Sequence, residues 1–335
     1  MNGRVVCFGE LLLRLTAPGR ELLLQTGRLD VHVGGAEANV AVGLARLGHD
    51  TAMVSRVPDT ALGEAARGHL RRHGVDDAAV RVAPGRMGLY FLSPGAGLRA
   101  SGIVYDREGS AFALAGPEDF DWDALLAGAG LLHLSGITPA LGARSADAAI
   151  AAAEAARKQG VPVSFDGNYR DRLWSRWDGD PRAILTRLVG QADILFGNHR
   201  DISLLLGRDF GGDGEVRRRE AAEAAFAAFP NLRLIASTAR HVDDADRHRI
   251  SARVDMQGTS HQTEEVPIAG IVDRIGTGDA FAVGVLHAWR GGDAGAMART
   301  GLALAALKHS LPGDSSLFGQ ADIDAFLAGG FDVRR

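Results

Sequence analysis

Cysteine is nearly absent from this chain: Cys7 stands alone among 335 residues, so no disulfide can form within it. Cys7 lies in an apolar, β-like run and reads as a small core residue. Lysine is almost as scarce, at Lys158 and Lys308. Neither sits in a Gly-Lys-Ser/Thr sequence, which excludes a Walker phosphate loop, and the Val-Ala-Ile-Lys strand of protein kinases is missing too. Charge of one sign is not in excess: 37 basic residues face 41 acidic ones, for a net charge of −4. The basic residues are scattered, so neither nucleic acid nor an acidic membrane surface is indicated as a partner. No apolar run is long enough to cross a bilayer, and Met1 to Arg4 leads into Val5 without a signal-peptide pattern, so the expectation is a cytoplasmic protein. The first strand is not followed by Gly-x-Gly-x-x-Gly, which argues against a dinucleotide-binding start. Linkers, low-complexity tracts and fixed-period repeats are lacking as well, and residues 1–335 read as one domain.

What is present has an α/β pattern. Val5 to Phe8 reads as a buried strand. Residues 11–33 carry short apolar runs broken by Ala17-Pro18-Gly19 and Thr26-Gly27, and two further runs, 87–92 and 102–107, flank a Pro/Gly/Ala turn. These predict strands outside the main sheet. Helices are expected from Gly35 to Gly48 and from Ala61 to Val75. His69 and His73 on the latter have metal-ligand spacing, but no His-Glu-x-x-His pattern, and the surrounding arginines suggest a solvated face. After Trp122 strand–helix units repeat: strands at 131–136, 161–166, 192–196 and 232–237, helices at 146–159 and 215–229. This is the signature of a doubly wound, mostly parallel sheet flanked by helices. Further strands are expected at 250–254 and 264–267, and helices at 280–289, 294–308 and 322–327.

The stretch that concentrates chemistry is Asp273-Arg274-Ile275-Gly276-Thr277-Gly278-Asp279. Its glycines let the backbone bring N–H groups close to a ligand, and the helix that follows adds unpaired amides and a partial positive charge. A carboxylate in such a cradle can take a proton from a hydroxyl that attacks phosphorus. Taken alone, the residues fit a simple helix cap equally well. Tyr105 and Arg107 could grip a carboxylate, or belong to an edge strand with ordinary charges. Arg170, at the C-terminal end of a predicted strand, is a second carboxylate or phosphate partner or a structural ion pair. Asn39, one turn into its helix, could meet a sugar hydroxyl.

Asp-x-x-Gly-x-Gly-Asp near the C-terminus, together with Val33-Gly34-Gly35-Ala36-Glu37-Ala38-Asn39 and Leu44-Ala45-Arg46-Leu47-Gly48, resembles the ribokinase-like (PfkB) carbohydrate kinases, and within them the kinases of 2-keto-3-deoxygluconate. The resemblance spans nearly the whole chain. It implies a single ribokinase-like domain with a small β-sheet lid, its strands within about 11–33 and 86–113, and transfer of the γ-phosphoryl group of ATP to a sugar acid. Asp279 would be the base, with Gly276, Thr277 and Gly278 holding the moving phosphoryl group. Gly34, Asn39, Tyr90, Tyr105, Arg107 and Arg170 would meet the acceptor, two arginines favouring an acidic one over fructose, ribose or a nucleoside. Ser237, Arg240, Gly278, Lys308 and Asn198 would serve the nucleotide. Asn198 and Asp201 would reach Mg²⁺ through water, Asp201 replacing the family's usual Glu. Asp273 would orient the loop or join a monovalent-cation site. A homodimer through the lid is a further implication. The chain departs from the family at residues 238–249, where a Gly-x-x-Gly turn against the phosphates is replaced by a charged segment. Ala239 and Val242 fall near the two glycine positions, and Arg240 could supply charge instead. Another sugar kinase of the family, or a non-catalytic sugar-binding regulator, are the alternatives.

Overall fold

The computed structural model describes residues 3–212 and 214–329, with Arg290 through its backbone only. The chain opens with strand β1 (Arg4–Phe8), whose four buried residues alternate between two cores. Val5 and Cys7 face one hydrophobic cluster, Val6 and Phe8 the other, as the period of two requires for a strand covered on both faces. Next come β2 (Leu12–Thr16), β3 (Asp30–Gly34), helix α1 (Ala36–Arg46), β4 (Thr51–Val57), α2 (Ala61–Arg72), β5 (Val80–Val82), β6 (Gly88–Ser93) and β7 (Gly102–Asp106). The second half runs α3 (Trp122–Leu125), β8 (Ala129–Ser135), α4 (Ala143–Lys158), β9 (Val163–Asp166), α5 (Asp171–Trp174), α6 (Pro181–Val189), β10 (Ile194–Phe196), α7 (His199–Leu206) and α8 (Gly214–Ala228). It closes with β11 (Leu234–Asp244), β12 (Arg247–Met256), β13 (Thr259–Gln262), β14 (Val266–Ala269), α9 (Thr277–Ala288), α10 (Ala294–Lys308) and α11 (Gln320–Leu327).

The large sheet has ten strands in the order β13-β12-β11-β10-β9-β8-β1-β4-β5, with β14 also paired to β12. From β11 to β5 every pairing is parallel. The chain moves from β1 outward to β4 and β5, then returns to the other side of β1 at β8. The carboxyl ends of β1 and β8 therefore flank a topological switch point, where open α/β sheets form a ligand crevice. Helices α1, α9 and α10 supply one core, and α4, α6, α7 and α8 the other.

A separate four-stranded sheet, β3-β2-β6-β7, stands apart from the large one. Strand β2 is antiparallel to β3 and parallel to β6, which is antiparallel to β7. Its register places Leu12, Arg14, Gly34, His32, Tyr90 and Tyr105 on one face. Among the described residues, no helix is long and apolar enough to cross a membrane.

One segment folds otherwise than its composition suggests. Residues 238–244 carry four charged or imidazole side chains and read as a loop, yet β11 continues through them to Asp244, paired antiparallel with β12. The hairpin satisfies the backbone N–H and C=O groups itself, so the polar side chains only need solvent.

Candidate active site

The motif at 273–279 becomes the turn that enters α9. Gly276 is the residue before the helix, with φ of 77°. A Cβ there would also overlap the carbonyl oxygen of Asp314, so both backbone and space demand glycine. At Gly278 the situation is reversed: a Cβ would meet nothing within 4 Å, and the residue is exposed. The protein itself leaves that space free. Thr277 turns its hydroxyl inward onto the Arg274 carbonyl at 3.0 Å. The first amides of α9 have no intrahelical acceptor and end a helix dipole, so the open side of the turn is an anion cradle.

Asp279 stands at that mouth. The Asn39 amide donates to its Oδ2 at 2.7 Å, and Ser315 Oγ donates to Asn39 Oδ1 at 3.0 Å. The relay fixes the Asn39 amide and aims the carboxylate. Burial raises the Asp279 pKa to about 7; the Asn39 bond and Arg170 act against this, while Asp314 and Glu37 reinforce it. Asp166, at the end of β9, is pushed up to about 8, first by burial, then by Asp279 and Asp201. Asp201 is raised as well, chiefly by burial, against the amide of Asn198. Among the described residues none of the three carboxylates is in an ion pair. Arg170 is the positive group that acts on all three, lowering each.

Positive charge lies alongside. Arg240 is lowered by partial burial and then by Arg274, and Arg274 by partial burial and then by Arg170, so the three guanidinium groups share one region. Arg170, at the start of α5, makes only a 3.5 Å contact to the Tyr169 carbonyl. Among the described residues none of the three has a salt bridge.

The small sheet brings the other expected residues to the same place. Gly34 is buried, and a Cβ on it would strike the Asp314 carboxylate. Tyr90 donates its hydroxyl to Asp314 Oδ2 at 2.7 Å, and its ring lies 6.3 Å from that of Tyr105. Arg107 is engaged rather than free: its Nε donates to the buried Glu10 carboxylate at 2.5 Å, and Ser110 donates to the same carboxylate. Among the described residues, no hydrogen bond holds its two terminal nitrogens. Lys308 is fully buried, and its Nζ donates to the Leu311 carbonyl at 3.0 Å, beside Asp273 and Asp314 rather than on an open surface. Ser237 lies on β11, opposite Arg253. Asn198 and Asp201 form a capping box at α7: Asp201 Oδ2 accepts from the Asn198 amide and Asn198 Oδ1 from the Arg200 amide, each at 2.8 Å. Among the described residues no three His, Cys, Asp or Glu side chains converge as a direct metal site.

The site thus combines a cradle at a helix start, a raised carboxylate held by an asparagine, and residues of the separate small sheet. The model of the pfkB family carbohydrate kinases matches residues 2–318. The chain belongs to the PfkB family of carbohydrate kinases. This PfkB kinase is 31% identical, over 331 residues, to the 2-dehydro-3-deoxygalactonokinase of Haloferax volcanii, covering 98% of each chain. A crystal structure of the 2-dehydro-3-deoxygluconokinase of Thermotoga maritima superimposes with a TM-score of 0.92 at 37% identity, over 98% of this chain and 100% of that one. A PfkB family carbohydrate kinase from Listeria grayi gives 0.90 at 36% identity, over 97% and 99%.

Several residues of this PfkB kinase's site escape sequence reading. Arg14 is fully buried, pairs with Asp273 at 2.6 Å and with Asp314 at 3.1 Å, and so ties β2 to the turn that enters α9. Asp273 also accepts from the amides of Ile275 at 2.9 Å and Gly313 at 3.1 Å, so it orients the turn, with the Arg14 guanidinium as its positive partner. Glu37, two residues before Asn39 on α1, accepts from the Ser135 amide and the hydroxyls of Ser135 and Thr138. Asp166 and Arg274 are the others. A lone arginine inside the apolar run Leu11-Leu12-Leu13-Arg14-Leu15 was the one local signal for Arg14, since an unpaired guanidinium is not buried there.

Proposed function

We propose that this kinase transfers the γ-phosphoryl group of ATP to 2-keto-3-deoxygluconate, giving the 6-phosphate. The observation that carries the reading is Asp279: a carboxylate with its pKa raised to about 7, held at 2.7 Å by Asn39 and set at an open helix mouth. A base near neutrality combines readiness to accept a proton with a useful ionised fraction. The acceptor hydroxyl gives its proton to Asp279 as its oxygen bonds to the γ-phosphorus. The bond from that phosphorus to the bridging oxygen breaks, and ADP leaves with the electron pair. Amides of Gly276 to Asp279, with Arg274 and Arg240, take up charge on the phosphoryl oxygens.

Asp166, Asp201 and Asn198 would hold Mg²⁺ through water. When bound, that ion supplies neutralising charge for the nucleotide phosphates. Arg170 and the free nitrogens of Arg107 would receive the acceptor's carboxylate, with Gly34 and the two tyrosines shaping the pocket. The names of the Haloferax and Thermotoga relatives support a 2-keto-3-deoxy acid as substrate class. A row of apolar residues, Val31, Leu15, Phe91 and Val104, crosses the opposite face of the small sheet, with Val31 and Val104 more than half exposed. It supports a homodimer through that sheet, which sedimentation of wild type against Val104→Lys would test.

ADP release over a panel of 2-keto-3-deoxygluconate, its C4 epimer, fructose and ribose tests the acceptor. Turnover confined to the acids is the expected result. Efficient use of fructose with none of the acids would overturn the reading.

A further inference from the structure

Next to the Asp314 turn, β3, α2 and residues 312–317 enclose a cleft of about 350 Å³. That is within the range of small-molecule sites. His32, His69, Arg72 and His73 line it, so the two histidines of α2 face a cavity and not bulk solvent, as their arginine-rich surroundings had suggested. Among the described residues none of these four side chains has an ion-pair partner. The contrast with their neighbours is sharp: Arg67 and Arg71, on the same helix, are both held by Glu64 and Asp77. The cleft's own acid, Asp314, is already engaged by Arg14 and Tyr90. Asp30 and Asp273 are the other acids that act on His32.

His69 Nε2 is buried with no hydrogen-bond partner, a condition that costs free energy until a ligand or water relieves it. Burial first, and neighbouring positive charge second, keep these imidazoles from protonating. His69 is pushed down to about 4, by burial first and then by His73, Arg72 and His32, and His73 is lowered by burial, Arg46 and Arg72. A guanidinium in the wall excludes a cation as occupant, whereas the same set of N–H donors matches an anion with several oxygens.

We propose that this cleft binds a small polyanion, a phosphate ester or a polycarboxylate, at a site separate from the phosphoryl-transfer centre. Arg72 presents its fork to two oxygens, and the imidazoles of His32, His69 and His73 donate to the rest. Nothing in this depends on which sugar acid is the acceptor.

The test follows the imidazole Cε1–H signals of the whole chain by NMR at pH 7, with inorganic pyrophosphate as one probe and citrate as the other, in metal-free buffer. Saturable shifts of His32, His69 and His73 are expected, with a half-point at or below about 1 mM and persisting when excess ATP is added. Arg72→Gln/His73→Gln should weaken that binding by about tenfold or more while leaving kinase activity and melting temperature near wild type. A stronger pyrophosphate response identifies a phosphate ester, and a stronger citrate response a polycarboxylate. The proposal is overturned if neither probe gives saturation, if ATP abolishes the shifts, or if the double variant binds as wild type does.

Discussion

Two groups of charge lie in this kinase, one centred on the buried Arg14 and one partly open to solvent around Asp279, and they are built on opposite plans. Around Arg14 the acids are ion-paired: its guanidinium meets Asp273 and Asp314, Tyr90 donates to Asp314, and the amides of Ile275 and Gly313 donate to Asp273. Around Asp279 no ion pair closes among the described residues: Asp166 is raised by Asp279 and Asp201, Arg170 acts on all three carboxylates without pairing with any, and Arg240 and Arg274 have no salt bridge. The first group fastens the small sheet to the turn that enters α9. The second is the group to which the proposed function assigns the nucleotide, the cation and the acceptor. On the proposed function, the ion-paired group has the structural role and the unpaired one the catalytic role.

The comparison breaks most visibly at Asp279. Asp279→Asn should lower kcat by about 100- to 10,000-fold with the fold intact, measured by ADP release and circular dichroism. Unchanged turnover would remove the base. In the ion-paired group, Arg14→Met should leave two buried acids unmatched and cost about 3–5 kcal/mol in denaturant unfolding. Adding Asp273→Asn and Asp314→Asn to that variant should recover part of the loss, and no recovery would mean the ion pairs are not its origin.

The unpaired group predicts a stability trend with a definite sign. Asp166 and Asp279 have folded pKa values of about 8 and about 7, above those of an unfolded carboxyl. The folded state binds more protons between the unfolded and folded values, so stability should fall as pH rises from about 4 to about 8. Asp166→Asn should flatten that slope and raise the melting temperature at pH 8 in metal-free buffer; a lower melting temperature there would contradict the assignment. Smallest of all, Ser315→Ala removes one hydrogen bond that steadies Asn39, and a loss of several-fold in kcat with little change in melting temperature is expected. An unchanged kcat would show that Asn39 needs no such support.

How much of this was legible in the sequence depends on how far apart the partners lie. The turn at 273–279 is contiguous, and a glycine pattern before an apolar helix announces it. Helix α10 matches its expected bounds, 294–308, because its small and apolar residues run without interruption. Strand β11 did not announce its last seven residues, since a solvated hairpin needs no apolar pattern. Asn198 and Asp201 were singled out through the family resemblance as a pair reaching Mg²⁺ through water, and the structure joins them as the capping box of α7. The pairings of Arg14 with Asp273 and of Glu10 with Arg107 join residues 259 and 97 positions apart, and no periodicity encodes a partner at such range. Ion pairing, which separates the two groups, is therefore a property of the folded chain alone.

The most direct measurement is the pH dependence of kcat/KM for the acceptor. A raised carboxylate that must be ionised to act predicts a tenfold fall per pH unit below a midpoint of about 7, absent in the residual activity of Asp279→Asn. A wild-type profile flat from about pH 5.5 to 8 would contradict the claim that Asp279, raised by burial at the mouth of α9, takes the proton.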